Sequence, residues 1–160
     1  MVFRLLREFG DEKMTCSKLQ VFTNKQWHML DKPAFECDAN EEKYRDYSEK
    51  FPKCSDFCLP EGTYPVKLKP TVYSGMTISV THCPGHNSTQ IVAIPSTVKV
   101  SHGYVLIGER DEECEFPEDW HDSYLENSKE VFAKLNDLVY KHALLEANKI
   151  VISNINIRKK

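Results

Sequence analysis

Residues 59–80, LPEGTYPVKLKPTVYSGMTISV, decide the fold class. After the turn residues at its start, Tyr64, Val66 and Leu68 alternate with polar neighbours, which is the pattern of a half-buried β-strand. Residues 76–80 (MTISV) are also rich in residues that favour β geometry. The stretch therefore predicts two strands in quick succession, as in a mainly β protein.

Outward from this stretch, the sequence predicts further strands and one helix. Residues 38–53 are charged and lack a clean period, which favours a surface loop or a short helix. The eight acids between Glu109 and Asp122 favour an exposed loop. From Asn127 to Ala143 the apolar residues recur at helical spacing, and Asn127 with Glu130 resembles a capping pair. The other predicted strands are a hairpin of residues 18–22 and 27–30, then 90–94, 98–100, 104–107 and 149–157.

These elements predict a mainly β fold, a compact barrel or sandwich with one C-terminal amphipathic α-helix, and thus an α+β protein. The length of 160 residues favours a single domain, 1–160. A net charge of −3 with mixed signs gives no extended basic field, so we expect no nucleic-acid partner.

The N-terminal sequence MVFRLLREFGDEK has its apolar residues interrupted by arginines. It matches neither a signal peptide nor a membrane span, so we expect no membrane insertion and a location in a host cytoplasm or in a virion. Without an export signal, the six cysteines are expected to be reduced thiols rather than disulfides.

Three histidines and a cysteine crowd the stretch from His82 to Tyr104. In the L,D-transpeptidases a His is followed, after about fourteen to seventeen residues, by Ser or Thr and then His-Gly-Cys, with the Cys as nucleophile. Here His86 is followed by fourteen residues and then Ser101-His102-Gly103, but the next residue is Tyr104. The segment resembles a transpeptidase site in which a phenol, protonated at neutral pH, replaces the reactive thiolate.

A second resemblance covers more of the chain. The order KLQVF, FECD, CLPEGTYPV, ISVTH, SHGYVLIG and a terminal helix is similar to an uncharacterised phage and prophage domain family. Its members carry an Ile-Pro-x-Gly-Thr-Tyr turn, an Ile-x-Ile-His-x-Gly-Asn segment and a Gly-Cys-Ile-Leu-x-Gly strand. In this comparison His82 takes the place of the family's histidine, and Tyr104 again stands where the family has cysteine. The other matching residues are Pro60, Gly62, Thr63, Tyr64, Asn87, Gly103, Leu106 and Gly108.

Several chemical interpretations of this stretch stay open. His82 and His102 can be plain hydrogen-bonded residues at strand ends. Cys83 can act as a relocated thiolate, although adjacent strand residues point to opposite faces and so separate it from His82. Together with His86, these side chains also include the nitrogen and sulfur donors that zinc binds, but their spacing is not that of a known finger, so we expect no metal and no cofactor.

The sequence favours a catalytically degenerate L,D-transpeptidase-like domain of phage or prophage type. We expect it to be a binding or structural component associated with the cell wall or with a particle. Its candidate site comprises His82, Cys83 and His102 as catalytic candidates, with His86, Ser101, Gly103 and Tyr104 around the pocket.

Two alternatives remain. One is a thiol- or zinc-dependent hydrolase of peptidoglycan or peptide, and the other is a small viral regulator of a host protein. The expected partner is accordingly a cell-wall peptide or glycan, or a phage or host protein.

Overall fold

A computed structural model of the chain describes residues 1–10, 14–23, 32–44, 58–72, 75–86, 89–93, 103–110, 125–142 and 147–158. Residues 155–158 are described by their backbone alone. Within these residues the chain forms nine strands and one helix. In chain order they are β1 (Val2–Gly10), β2 (Met14–Phe22), β3 (Phe35–Glu42), β4 (Gly62–Thr71), β5 (Gly75–Val80), β6 (Thr89–Ala93), β7 (Val105–Arg110), β8 (Leu125–Glu126), α1 (Ser128–His142) and β9 (Asn148–Arg158).

Eight of these strands form a closed barrel. They are hydrogen-bonded in the order β3-β2-β1-β9-β4-β5-β6-β7, and β7 pairs back with β3. Neighbours are antiparallel except for β1 with β9 and β6 with β7, which are parallel. The two-residue β8 extends the sheet from β7. Because the ring closes, each barrel strand has a partner on both sides, and the barrel has no free edge.

The side chain of Asp38 links β3 to β7, where the barrel closes. Its carboxylate accepts hydrogen bonds from the backbone nitrogen of Arg110, at 2.9 Å, and from the Arg110 guanidinium, at 3.1 Å. The same carboxylate pairs with the Lys18 ammonium of β2 at 2.8 Å. Three strands are therefore joined at one side chain, where chain segments far apart in sequence must meet.

Apart from one buried ion pair, the barrel interior is apolar, because alternate residues of each strand point inward and most of these are hydrophobic. Helix α1 packs Val131, Leu135 and Val139 into the same core. It is held where the Ser128 hydroxyl donates to the Ile107 carbonyl and where the Asn136 amide oxygen accepts from the backbone nitrogen of Met76. Inward strand residues at 2% exposure or less include Phe3, Leu5, Leu19, Val21, Ile78, Val80, Ile91, Val105, Ile107, Ile150 and Ile152.

The predicted mainly β fold with one helix near the C-terminus is confirmed. The interpretation of residues 38–53 as a loop or short helix is wrong for its first part, because Asp38 to Glu42 complete β3. The predicted capping pair is also wrong. Asn127 has a positive φ of 49°, and its side-chain amide donates to the Glu109 carboxylate at 2.7 Å instead of capping the helix. The predicted loop from Glu109 to Asp122 is wrong at its first two residues, because Glu109 and Arg110 complete β7. The predictions for residues 27–30, 98–100 and 111–122 lie outside the described residues.

Candidate functional site

Cys83 and His86 flank a tight turn at the end of β5. The backbone nitrogen of His86 donates to the Cys83 carbonyl at 3.1 Å, and Gly85 has a φ of 76°. Proline followed by a glycine of positive φ is the signature of a type II turn, so Pro84 and Gly85 determine this geometry. Cys83 and His86 are antiparallel bridge partners, and both are buried, at 5% and 6% exposure. The turn therefore sends a thiol and an imidazole into the same end of the barrel.

The Cys83 thiol is held in its protonated form. Burial raises its pKa to about 12, an effect that a hydrogen bond with the Tyr64 hydroxyl only partly offsets. The Tyr64 hydroxyl oxygen also lies within hydrogen-bond distance of the carbonyl oxygens of Pro60, at 3.1 Å, and Glu61, at 3.0 Å, so these acceptors compete for its single proton. Burial and the neighbouring Cys83 raise the pKa of Tyr64 as well. Because the thiolate is the nucleophilic form, Cys83 is unreactive at neutral pH in this arrangement.

His86 is a buried imidazole whose two ring nitrogens find no hydrogen-bond partner among the residues that the structure describes. Burial lowers its pKa, and the positive charge of Arg7 lowers it further, whereas Glu41 raises it. The ring is therefore neutral at pH 7. Although it shares a bridge with Cys83, it makes no hydrogen bond to the thiol, so the two residues do not form an activated pair.

A buried ion pair lies at the same end of the barrel. The Arg7 guanidinium, 1% exposed, binds both carboxylate oxygens of Glu41 at 2.8 Å and also donates to the Leu59 carbonyl. Glu41 in turn accepts from the backbone nitrogen of Leu59 at 3.1 Å and from the Ser17 hydroxyl at 3.4 Å. The two charges are thus compensated by each other and by hydrogen bonds with Leu59 and Ser17. Buried charges need such partners, because they have lost their hydration.

A small pocket opens beside this ion pair. Its volume is about 10 Å³, which is close to the least that can hold one water molecule. His86, Gly103 and Tyr104 line it together with Glu41, and Tyr104 stands at its mouth with 44% exposure. The other lining residues are Glu42, Cys58, Leu59, Thr89 and Val105.

The pocket brings together three residues that the sequence pattern places in one site, namely His86, Gly103 and Tyr104. The described lining of the pocket does not include His82, which is exposed, has a positive φ of 59° and forms a hydrogen bond between its Nδ1 and the Thr81 hydroxyl at 3.2 Å. His82 is exposed, whereas the adjacent Cys83 is buried. The predicted Ser101 and His102 lie outside the described residues.

Sequence reasoning missed Arg7, Glu41 and Leu59. A signal for the first two was present, because Arg7 continues the inward register of Phe3 and Leu5, and Glu41 continues that of Cys37 and Ala39. A charge in the apolar register of a strand implies a buried partner.

The described part of the chain contains no group of three or more His, Cys, Asp or Glu side chains placed to hold a metal ion. The four cysteines in that part of the chain are buried and are not in disulfides: Cys16, Cys37, Cys58 and Cys83. None of its helices has the length and apolar character needed to cross a membrane.

No family model, curated protein or solved structure matches the chain. Its function must therefore be inferred from the chemistry and geometry of its own residues.

Proposed function

We propose that the chain is a non-catalytic β-barrel domain that serves as a binding or structural component. The motif resemblance favours a phage or prophage origin and an association with the cell wall or with a particle. One observation carries the non-catalytic part of the proposal. The pocket shared by His86, Gly103 and Tyr104 has room for about one water molecule, whereas acyl transfer needs a cleft that admits the substrate backbone.

The chemistry of the pocket supports the same conclusion. Acyl transfer requires a nucleophile, a base within hydrogen-bond reach and donors for the oxyanion. Tyr104 follows Gly103 where the resembled sites carry the cysteine, and it points to solvent at the pocket mouth. The nearby thiol of Cys83 is protonated, and the imidazole of His86 is neutral and makes no hydrogen bond to it.

The test is to incubate the purified protein with muropeptides and to follow the products by chromatography and mass spectrometry. We expect no product above the buffer control, and the same result for Cys83→Ser and His86→Gln. A sedimentation assay with isolated cell-wall sacculi measures binding in parallel, and we expect His82→Ala to leave the bound fraction unchanged. Product formation by wild type that Cys83→Ser abolishes would overturn the proposal.

A thiol hydrolase is the second candidate, because the bridge between Cys83 and His86 places both side chains on one side of the turn. Such an enzyme would have to open the barrel end, bring sulfur and imidazole together and lower the pKa of the thiol. The rate at which iodoacetamide alkylates Cys83 measures whether its thiol is accessible and deprotonated. Rapid labelling of Cys83 in the native protein at pH 7 would favour the hydrolase, and labelling only after unfolding would count against it.

A further inference from the structure

One wall of the barrel carries basic side chains and no acids, whereas the other strands together carry both signs of charge. Strand β3 contains four acids and no Lys or Arg, and β4, which contains Lys67 and Lys69, lies four positions away around the ring of eight. The four adjacent strands β9, β4, β5 and β6 contain no Asp or Glu at all. In a chain with a net charge of −3, this makes one wall of the barrel a positive surface.

An open groove of about 720 Å³ runs along this wall. Lys67 and Lys69 lie on one side of it, and Thr77 and Ser79, their register partners on β5, lie on the other, with Gln90 beyond on β6. Both lysines are exposed and have no ion-pair partner among the described residues. The groove thus combines two free ammonium groups with a row of hydroxyl and amide donors.

We infer that this groove binds a linear, phosphate-bearing polymer without bases. This inference rests on the binding role proposed above. Ammonium groups and hydroxyl donors suit phosphate oxygens. Side chains two residues apart on a strand are separated by roughly 7 Å, so the two lysines can each meet a charge of a repeating chain. None of the described residues that line the groove is aromatic, so they offer bases or sugar rings no stacking surface. None of these described residues is an arginine, so they provide no fork for paired carboxylates.

Fluorescence anisotropy with labelled linear polyphosphate tests the inference on the intact chain. We expect binding at low salt that weakens steeply as salt is added, because counterions compete for the same contacts. The double variant Lys67→Gln/Lys69→Gln should weaken binding about tenfold or more at low salt and reduce the salt dependence. The matched control is Lys129→Gln/Lys134→Gln, which removes the same charge from the exposed side of α1 and should change affinity by less than about twofold.

Three results would overturn the inference. The first is that wild type shows no salt-sensitive binding to polyphosphate. The second is that the two double variants lose affinity equally, because the loss would then reflect net charge alone. The third is that poly-glutamate or single-stranded DNA binds as tightly as polyphosphate, which would assign the groove to another class of polyanion. None of these results involves muropeptide turnover, so the non-catalytic role is judged separately. Melting curves of the variants, all exposed substitutions, should match wild type within about 2 °C.

Discussion

Replacing Glu41 with Ala should destabilise the protein severely. The substitution leaves the Arg7 guanidinium at 1% exposure without its counter-charge, and it removes the acceptor for the backbone nitrogen of Leu59. Removing one partner of a buried ion pair typically costs about 3–5 kcal/mol, because the remaining charge stays desolvated. In a chain of 160 residues, this corresponds to a fall in melting temperature of roughly 6–20 °C.

Two comparisons separate the buried charge from other effects. Lys18→Gln breaks the pair with Asp38 at 2.8 Å, but the lysine side chain is 37% exposed, so the loss should stay below about 1 kcal/mol. The double variant Arg7→Met/Glu41→Leu removes both buried charges together. It should be more stable than Glu41→Ala, because no unpaired ion remains in the barrel.

Urea denaturation followed by circular dichroism measures the free energy of unfolding for wild type, for these three variants and for the single variants Arg7→Met and Glu41→Leu. The reasoning fails if Glu41→Ala loses less than about 1 kcal/mol. It fails equally if the double variant loses as much as the two single losses at Arg7 and Glu41 added together, because the pair would then contribute no coupling.

Two further predictions concern the turn residues and the buried imidazole. Because burial lowers the pKa of His86 in the folded state, the unfolded chain takes up this proton first, so stability should fall as the pH drops below the ordinary value of about 6.5. His86→Leu should reduce this slope in unfolding curves measured from pH 7.5 to 5, and an unchanged slope would contradict the assignment. Gly85→Ala, at a φ of 76°, should cost about 1–2 kcal/mol, and Gly75→Ala should cost more, because its Cβ would also lie 2.8 Å from the Asn136 amide oxygen. Equal losses in thermal melts would show that this contact is unimportant.

Most strands of the barrel and its helix follow from local pattern. The alternation of Tyr64, Val66 and Leu68 and the helical spacing of Val131, Leu135 and Val139 reflect burial on one face, which is a property of a short stretch of chain. The prediction of strands failed where residues on the two faces of a strand do not differ in polarity. In β3 both faces are largely buried and carry acids, so residues 38–42 resembled a surface segment.

The candidate site was predicted only in part. The sequence pattern placed His86, Gly103 and Tyr104 in one site, and the structure gives them a common pocket. The pattern treated His82 in the same way, but the structure leaves His82 exposed and buries His86. His82 also has a positive φ, which its residue type does not predict.

The sequence by itself determined the positions of β2, β4, β5, β6, β7 and β9, where the helix lies and that a phenol follows Gly103, because each depends on residues close together in the chain. It did not predict β1 or β3. Only the tertiary structure decided that β7 closes onto β3, that Arg7 meets Glu41 across 34 positions, and that the acid-free strands adjoin in one wall. These features depend on pairing between distant segments, whose register is determined by the packing of the whole barrel.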